Sequence, residues 1–469
     1  MSTNGQCTFA LFFGNRGMFP ASLQATAREE VSATIEKLGH KTIMLDADAT
    51  RNGAVETPQE GEVYARFLKE NEGKFDGVIL SLPNFGDENG AVAALQDADV
   101  PILIQAYPDE LDKMAPETRR DAFCGKFSIM DVFCQNEMDF TALKPHTVHP
   151  NSARFADNID YFGRMCRVVA GLRRMTLGAI GARTTAFKTV RIDELALQRH
   201  GITMETMDLS EVISRVRSMD MASDAAKAKK DRLSSYTNWN GVPDQAFENI
   251  VRLGVVLDEI IDELKLDAFA IRCWIELQKE LGISPCILLS EMNDRGESGA
   301  CEVDIGSAVS MYALSRASGT VSTCLDWNNN YGEDDDKCIL FHCGPVPQSL
   351  MREKGHISDH AILKNVVGAG CAYGCNEGRI ASMPFTFGNM LTVDGELRFY
   401  LGEGQFTDDP VPDDFFGCAG VAEVDGLQDA LQTIGYEGHR HHVAVTRGHV
   451  IEPVFEAFNK YLGYDVTPV

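Results

Sequence analysis

The feature that most constrains this chain is the regular alternation of short apolar runs and amphipathic helical periods over its first third. "CTFALFFGN" is predicted as a strand and "SLQATAREEVSATIEKLG" as an amphipathic helix stopped by Gly39. "KTIMLDAD" then reads as a strand, "PQEGEVYARFLKEN" as a helix, and "FDGVILSLPN" and "VPILIQAYP" as two further strands. Strands alternating with helices are the pattern of parallel pairing, because a parallel connection needs a crossover of a dozen or more residues. A doubly wound α/β domain is therefore predicted over residues 1–165.

A second alternating block covers residues 166–360. It holds "MTLGAIGAR" (strand and turn), "IDELALQRHG" (helix), "ITMETMDLSEVISRVRSM" (strand, then helix) and the long helix "PDQAFENIVRLGVVLDEIIDELKL". "AFAIRCWIE" and "CILLSEMND" are predicted as its later strands, so a second Rossmann-like unit follows the first. Over residues 361–469 the texture changes to short β-type runs broken by "DG" and "GEG" turns, as in "MLTVDGELRFYLGEGQF", which predicts a small β-rich, barrel-like domain.

With 469 residues, two to three domains are expected, and 44% hydrophobic residues suffice for their cores. The charge balance of 43 basic against 69 acidic residues, a net −26, repels phosphate backbones and anionic membrane surfaces, which argues against nucleic acid and membrane partners. No run is long and apolar enough to span a bilayer, and the first residues lack a basic leader, so a soluble cytoplasmic protein is expected. The 13 cysteines, odd in number and scattered through apolar segments, agree with a reducing compartment. The pair in "CAYGC" has no CxxC spacing and reads as two reduced residues in a turn, and "GEDDD" at 332–336 reads as a solvated loop. Neither "GNRG" nor "GAIGAR" completes a dinucleotide fingerprint.

In a doubly wound sheet, ligands sit beyond the carboxyl ends of the strands. Polar residues beside apolar runs are therefore the candidates: Asp326 in "LDWNNN" and His342 in "ILFHCG", which end such runs, Glu302 and Asp304 in "ACEVDIG", where Glu302 follows a Gly-Ala-Cys turn and opens an apolar helix, and the histidines of "EGHRHHVAV". Each has a structural alternative taken singly. Glu302 and Asp304 could serve the positive end of a helix, Asp326 could cap a loop, and His342 could be a hydrogen-bonded core residue. Together, two carboxylates and one or two imidazoles make a mixed oxygen and nitrogen set that suits Mn²⁺ or a similar divalent ion and leaves coordination positions open.

The stretches "FGNRGMFPASL", "GARTTAFKTVRIDELALQRHGI", "MNDRGESGACEVDIGSAVSMYALS", "LDWNNN", "FHCGPVPQSL" and "GHRHHVAV" resemble the L-fucose isomerase and L-arabinose isomerase superfamily, most sharply between residues 292 and 350. The resemblance implies two Rossmann-like domains followed by a β-rich domain. It implies an intramolecular oxidoreductase that interconverts aldoses and ketoses through a metal-stabilised cis-enediol. Glu302, Asp326 and His442 are implied as Mn²⁺ ligands, with His342 matching a ligand position of the arabinose-type enzymes and His441 a neighbour. Glu302 and Asp326 are also the implied acid/base pair.

Trp327, Asn328 and Asn329 follow Asp326 directly and are candidate sugar-binding residues, with core packing the alternative for the indole. The resemblance further implies a homo-oligomer, a trimer or hexamer, in which Arg16 of one copy reaches a neighbour's site; the alternative is an arginine satisfied by nearby carboxylates. A guanidinium there, with Arg183 or Arg191, would suit the anionic group of a sulfosugar. The substrate expected is a monosaccharide, deoxysugar or sulfosugar. A metal-dependent sugar lyase or aldolase, and a non-catalytic sugar-binding or regulatory protein, are the alternatives.

Overall fold

The computed structural model describes residues 5–20 and 22–469; the first four residues, part of the stretch read for a leader, and Ala21 lie outside the described residues. The chain divides into two compact units, Met1–Ala170 with Lys460–Leu462, and Gly171–Asn459 with Gly463–Val469.

The first unit holds the strands β1 (Thr8–Phe13), β2 (Lys41–Met44), β3 (Gly77–Leu82) and β4 (Ile102–Ala106), in the order β2-β1-β3-β4 and all parallel. β1, β3 and β4 are buried almost throughout, as strands covered by helices on both faces must be. The helix Pro58–Glu70 starts where its sequence says it should: Thr57 accepts a hydrogen bond from the Glu60 amide and proline occupies the first turn. Its Tyr64 packs edge-on against Phe12. The unit also holds the helices Glu88–Leu95 and Ala122–Gln135 and most of Ala153–Leu172, none of which was predicted from the sequence.

The second unit opens with the parallel strands β5 (Met175–Ile180), β6 (Ile202–Met207), β7 (Ala268–Ile271) and β8 (Ser298–Cys301), ordered β6-β5-β7-β8. "CILLSEMND", predicted as a strand, is instead the helix Cys286–Asp294. Its residues are buried from Cys286 through Asn293, and an apolar run enclosed on every side carries no periodicity that separates helix from strand. The helix Asp224–Tyr236 is a second addition, capped by Ser223.

The remaining strands of this unit form a sheet that closes on itself. Its strands are β9 (Ser322–Tyr331), β10 (Asp334–His342), β11 (His356–Asp359), β12 (Tyr373–Arg379), β13 (Met383–Val393), β14 (Glu396–Phe406), β15 (Cys418–Glu423), β16 (His442–Arg447) and β17 (Asp465–Pro468). The succession β15-β10-β9-β16-β13-β14 closes on itself through pairing of β14 with β15, giving a six-stranded barrel; β11 and β12 extend it beside β15, and β17 beside β14. Phe385, Phe387, Tyr400, Phe406, Leu340 and Val443 fill its interior. Two of its strands, β9 and β10, come from the sequence before residue 361, where the β-rich segment was expected to start. The strand holding "LDWNNN" does not end at Leu325 either: Asp326 to Asn330 continue it, because the hairpin partner β10 supplies hydrogen bonds that local polarity does not reveal.

Candidate active site

Three neighbouring barrel strands, β10, β9 and β16, carry three of the predicted donors. Asp326 lies in β9 and pairs directly with His442, the first residue of β16, while His342 ends β10. The fourth, Glu302, comes from the turn after β8, at the carboxyl end of a parallel strand. Glu302 and Val303 both adopt left-handed backbone, φ 64° and 56°. A β-branched residue in that region is a steric outlier, costing of order 1–3 kcal/mol, and such strain persists where surrounding structure imposes it. The helix Ile305–Ser318 then begins with Asp304 as its cap.

Nε2 of His442 stands 3.0 Å from Oε2 of Glu302 and 3.4 Å from Oδ1 of Asp326. Donor atoms of Glu302, His342 and His442 lie within 4.8 Å of one another, as do those of Asp326, His441 and His442. His441, read from the sequence as a neighbour, is half-exposed and its Nε2 is 3.7 Å from Asp326 Oδ1. Glu302 Oε2, Asp326 Oδ1 and His342 Nε2 are buried and have no hydrogen-bond partner. Buried polar atoms are normally satisfied, so two carboxylate oxygens left orphaned beside the His442 imidazole fit a missing cation better than a packing accident. His342 differs, because its Nδ1 accepts from the Cys343 amide at 2.8 Å and the proton of the neutral ring is then on Nε2. Oxygen and imidazole donors without a thiolate suit Mn²⁺ or a similar ion.

Without an ion the site is electrostatically tense. Burial pushes the Asp326 carboxyl up, and Glu302 adds to the effect against the pull of three histidines. Burial works against charge on His342, but the Cys343 sulfur and Asp326 outweigh it and lift the imidazole to about 9. Cys343, whose thiol meets Cys286 and Cys301 and contacts His342 Nδ1 at 3.3 Å, is correspondingly held well below the usual thiol range. His442 is disfavoured as a cation by burial, yet Asp304 and Glu302 hold it well above its ordinary range. Asp304 is fully buried but kept well below the usual carboxylate range by Arg440 and His442.

Trp327, Asn328 and Asn329, predicted to face the sugar, do not gather at the donors. Trp327 lies on the opposite face of β9 from Asp326, since successive strand residues alternate. Its ring packs edge-on to Phe387 in the barrel core, and its Nε1 donates to the Tyr400 hydroxyl at 3.3 Å. Asn328 and Asn329 are exposed at a register shift in the β9–β10 hairpin, and Asn329 lines an open groove with Tyr331, Pro410 and Asp413 that none of the four donors borders. Arg16 belongs to the first unit, where it pairs with Glu88, donates to the Gly86 carbonyl and stacks over Phe85 at 4.4 Å. Arg183 and Arg191 donate to carbonyls of their own loop. Cys375 of "CAYGC" donates its thiol to the Cys343 carbonyl, and the pair belongs to no metal-holding group among the described residues.

Aromatic groups beside the donors come from elsewhere. The Phe187 ring lies 5.7 Å from that of His441 and 5.8 Å from that of His442, and Trp274 packs edge-on behind it at 5.8 Å. The Trp274 Nε1 is buried without a partner. Both follow carboxyl ends of parallel strands, β5 and β7, and that position was the available signal.

The family model described as the fucose/sulfoquinovose isomerase N-terminal domain matches residues 10–173, and the L-fucose isomerase C-terminal domain matches residues 340–468. A sulfoquinovose isomerase of Priestia aryabhattai is 22% identical over 407 residues, 86% of this chain and 87% of the relative. Proteins of the same name from Alkalicoccus urumqiensis and Clostridium sp. (strain MSTE9) are 22% identical over 83% of this chain and 25% over 62%, covering 85% and 64% of their own lengths. With matching domain models at both ends, the expected α/β-plus-barrel architecture between them and relatives matched along most of their length, the chain belongs to the fucose isomerase family of aldose–ketose isomerases.

Proposed function

We propose that the chain is a divalent-metal-dependent aldose–ketose isomerase whose ion is held by Glu302, Asp326 and His442, and whose substrate is a sulfonated aldose. The observation that carries the metal reading is the convergence of two partnerless buried carboxylate oxygens on the His442 imidazole. When bound, the ion would polarise the substrate carbonyl and offset charge on its oxygens. Glu302 and Asp326 divide the proton traffic. One takes the proton from the carbon next to the carbonyl and returns it to the neighbouring carbon through an enediol; the other moves the hydroxyl proton. Phe187 beside the His442 ring, backed by Trp274, offers an apolar surface next to the donors.

The relatives named sulfoquinovose isomerase support a sulfosugar, and a guanidinium matches its sulfonate. Arg16 of a neighbouring copy in a trimer or hexamer is the residue we assign to it, with Mn²⁺ as the metal and the cytoplasm as the compartment.

The test is incubation of Mn²⁺-loaded protein with sulfonated, deoxy- and pentose aldoses in D₂O, followed by NMR. Deuterium on carbon 1 of a ketose of unchanged carbon number, and on carbon 2 of the aldose re-formed from it, is expected, fastest with the sulfonated sugar. Shorter fragments would establish a lyase, and binding without conversion a sugar-binding protein.

A further inference from the structure

Asp304 does more than begin a helix. A helix cap needs one side-chain oxygen, which Asp304 Oδ1 supplies to the Ser307 amide at 3.1 Å. Its carboxylate is nevertheless fully buried, a costly placement without compensating partners. Those partners are specific. Oδ1 pairs with the Arg440 guanidinium, and Oδ2 accepts from Ser307 Oγ at 2.7 Å and lies 2.7 Å from Nδ1 of His442.

Arg440 is itself buried, two residues before His442, and passes over the first turn of the helix Ile305–Ser318. Gly306 makes room for it: a Cβ there would stand 2.8 Å from the guanidinium and 2.5 Å from the Met390 carbonyl. The backbone of His442 is held as well, since Asn389 Nδ2 donates to its carbonyl at 2.7 Å.

We propose that Asp304 and Arg440 are positioning residues for the isomerase: Asp304 accepts the Nδ1 proton of His442, which turns Nε2 toward Glu302 and Asp326, and Arg440 fixes which carboxylate oxygen does so. This rests on the metal-isomerase reading above. An imidazole ligates only through a nitrogen free of its proton, so the group facing Nδ1 decides whether Nε2 is available.

Asp304→Asn separates this role from helix capping, because asparagine caps as well as aspartate. In the variant, Arg440 and the Ser307 amide both require an oxygen at the Oδ1 position. The amide NH₂ therefore faces His442, which places the imidazole proton on Nε2. After chelation, wild type, D304N and D304S are titrated with Mn²⁺, free ion being read by electron paramagnetic resonance. The His442 Nδ1 proton is followed separately as a downfield ¹H resonance.

The expected result is unchanged circular dichroism, Mn²⁺ affinity weakened about 10–100-fold in D304N, and loss of the resonance in both variants. Equal affinity in D304N and wild type, or a resonance that survives substitution, overturns the proposal. If wild type binds no divalent ion, the metal reading of the site fails, and the resonance alone decides whether Asp304 orients His442.

Discussion

Asp326 and His442 are direct cross-strand partners in adjacent antiparallel strands, and the facing Oδ1 and Nε2 atoms stand 3.4 Å apart without Asp326 Oδ1 gaining a hydrogen bond. Residues opposite one another in a ladder are separated by backbone geometry, not by side-chain choice. The gap between these donors is therefore set by the barrel, with Glu302 completing it from outside.

Glu302→Gln and Asp326→Asn each remove a charge and a proton carrier while keeping shape. Turnover should fall by about 10²–10⁴-fold in each, the usual scale of acid–base catalysis. Metal content after gel filtration should fall as well. A single-turnover assay with the metal in excess separates the two losses.

Filling the site should stabilise the fold. An ion at a hundred times its dissociation constant adds about 2.7 kcal/mol. Thermal scans with excess Mn²⁺ and with chelator should therefore differ by several degrees in wild type and by much less in Glu302→Gln.

Trp327 and Trp274 should behave in opposite ways. Trp327→Ala opens the barrel core beside Phe387 and Tyr400 and should cost roughly 3 kcal/mol, the scale of large core truncations, with KM unchanged. Trp274→Ala should raise KM with a smaller effect on stability. Denaturant unfolding together with initial-rate kinetics distinguishes them.

Lys126, buried in the first unit with the His146 carbonyl as acceptor at 2.9 Å, is pushed by burial from 10.5 to about 8. Between these values the unfolded chain binds more protons than the folded one, so this group makes stability rise with pH from about 8 to 10.5 and holds it lower below that window. Lys126→Met should be the more stable protein at pH 7, by up to about 3 kcal/mol. The difference should shrink as pH passes 10, as urea unfolding at several pH values would show.

Much of this could be read in the residues themselves. The inner strands β1, β3, β5 and β7 and the edge strand β4 are apolar runs bounded by turn residues, and their burial matches that pattern, whereas the edge strands β2 and β6 are largely unburied and β8 is a short Ser-Gly-Ala-Cys segment. Asp326 and His342 stood out because they end apolar segments and Glu302 because it follows a turn before an apolar helix; Glu302 and His342 lie near His442 in one cluster, and Asp326 lies beside His442 and His441 in another. Trp327 misled for a definite reason. Adjacency in sequence puts a strand residue on the opposite face from its neighbour, so the residue beside Asp326 is the one least able to share its site. The helix Cys286–Asp294 was hidden because complete burial erases amphipathicity. Asp304 stood out as a candidate beside Glu302 or as a helix-terminal acid, but not as a partner of Arg440 and His442, since those contacts join residues distant in the chain.

The closed sheet makes the site mechanically uneven. A strand in a ring cannot slide without breaking hydrogen bonds to both neighbours, so Asp326 and His442 share a stiff frame. Glu302 hangs from a turn held in a sterically unfavourable conformation, which has other conformations of lower local energy available to it. Any give the site needs as a sugar enters, reacts and leaves is concentrated in that one carboxylate. Adaptation to substrates of different size would then be sought around residues 302 and 303 before the barrel itself.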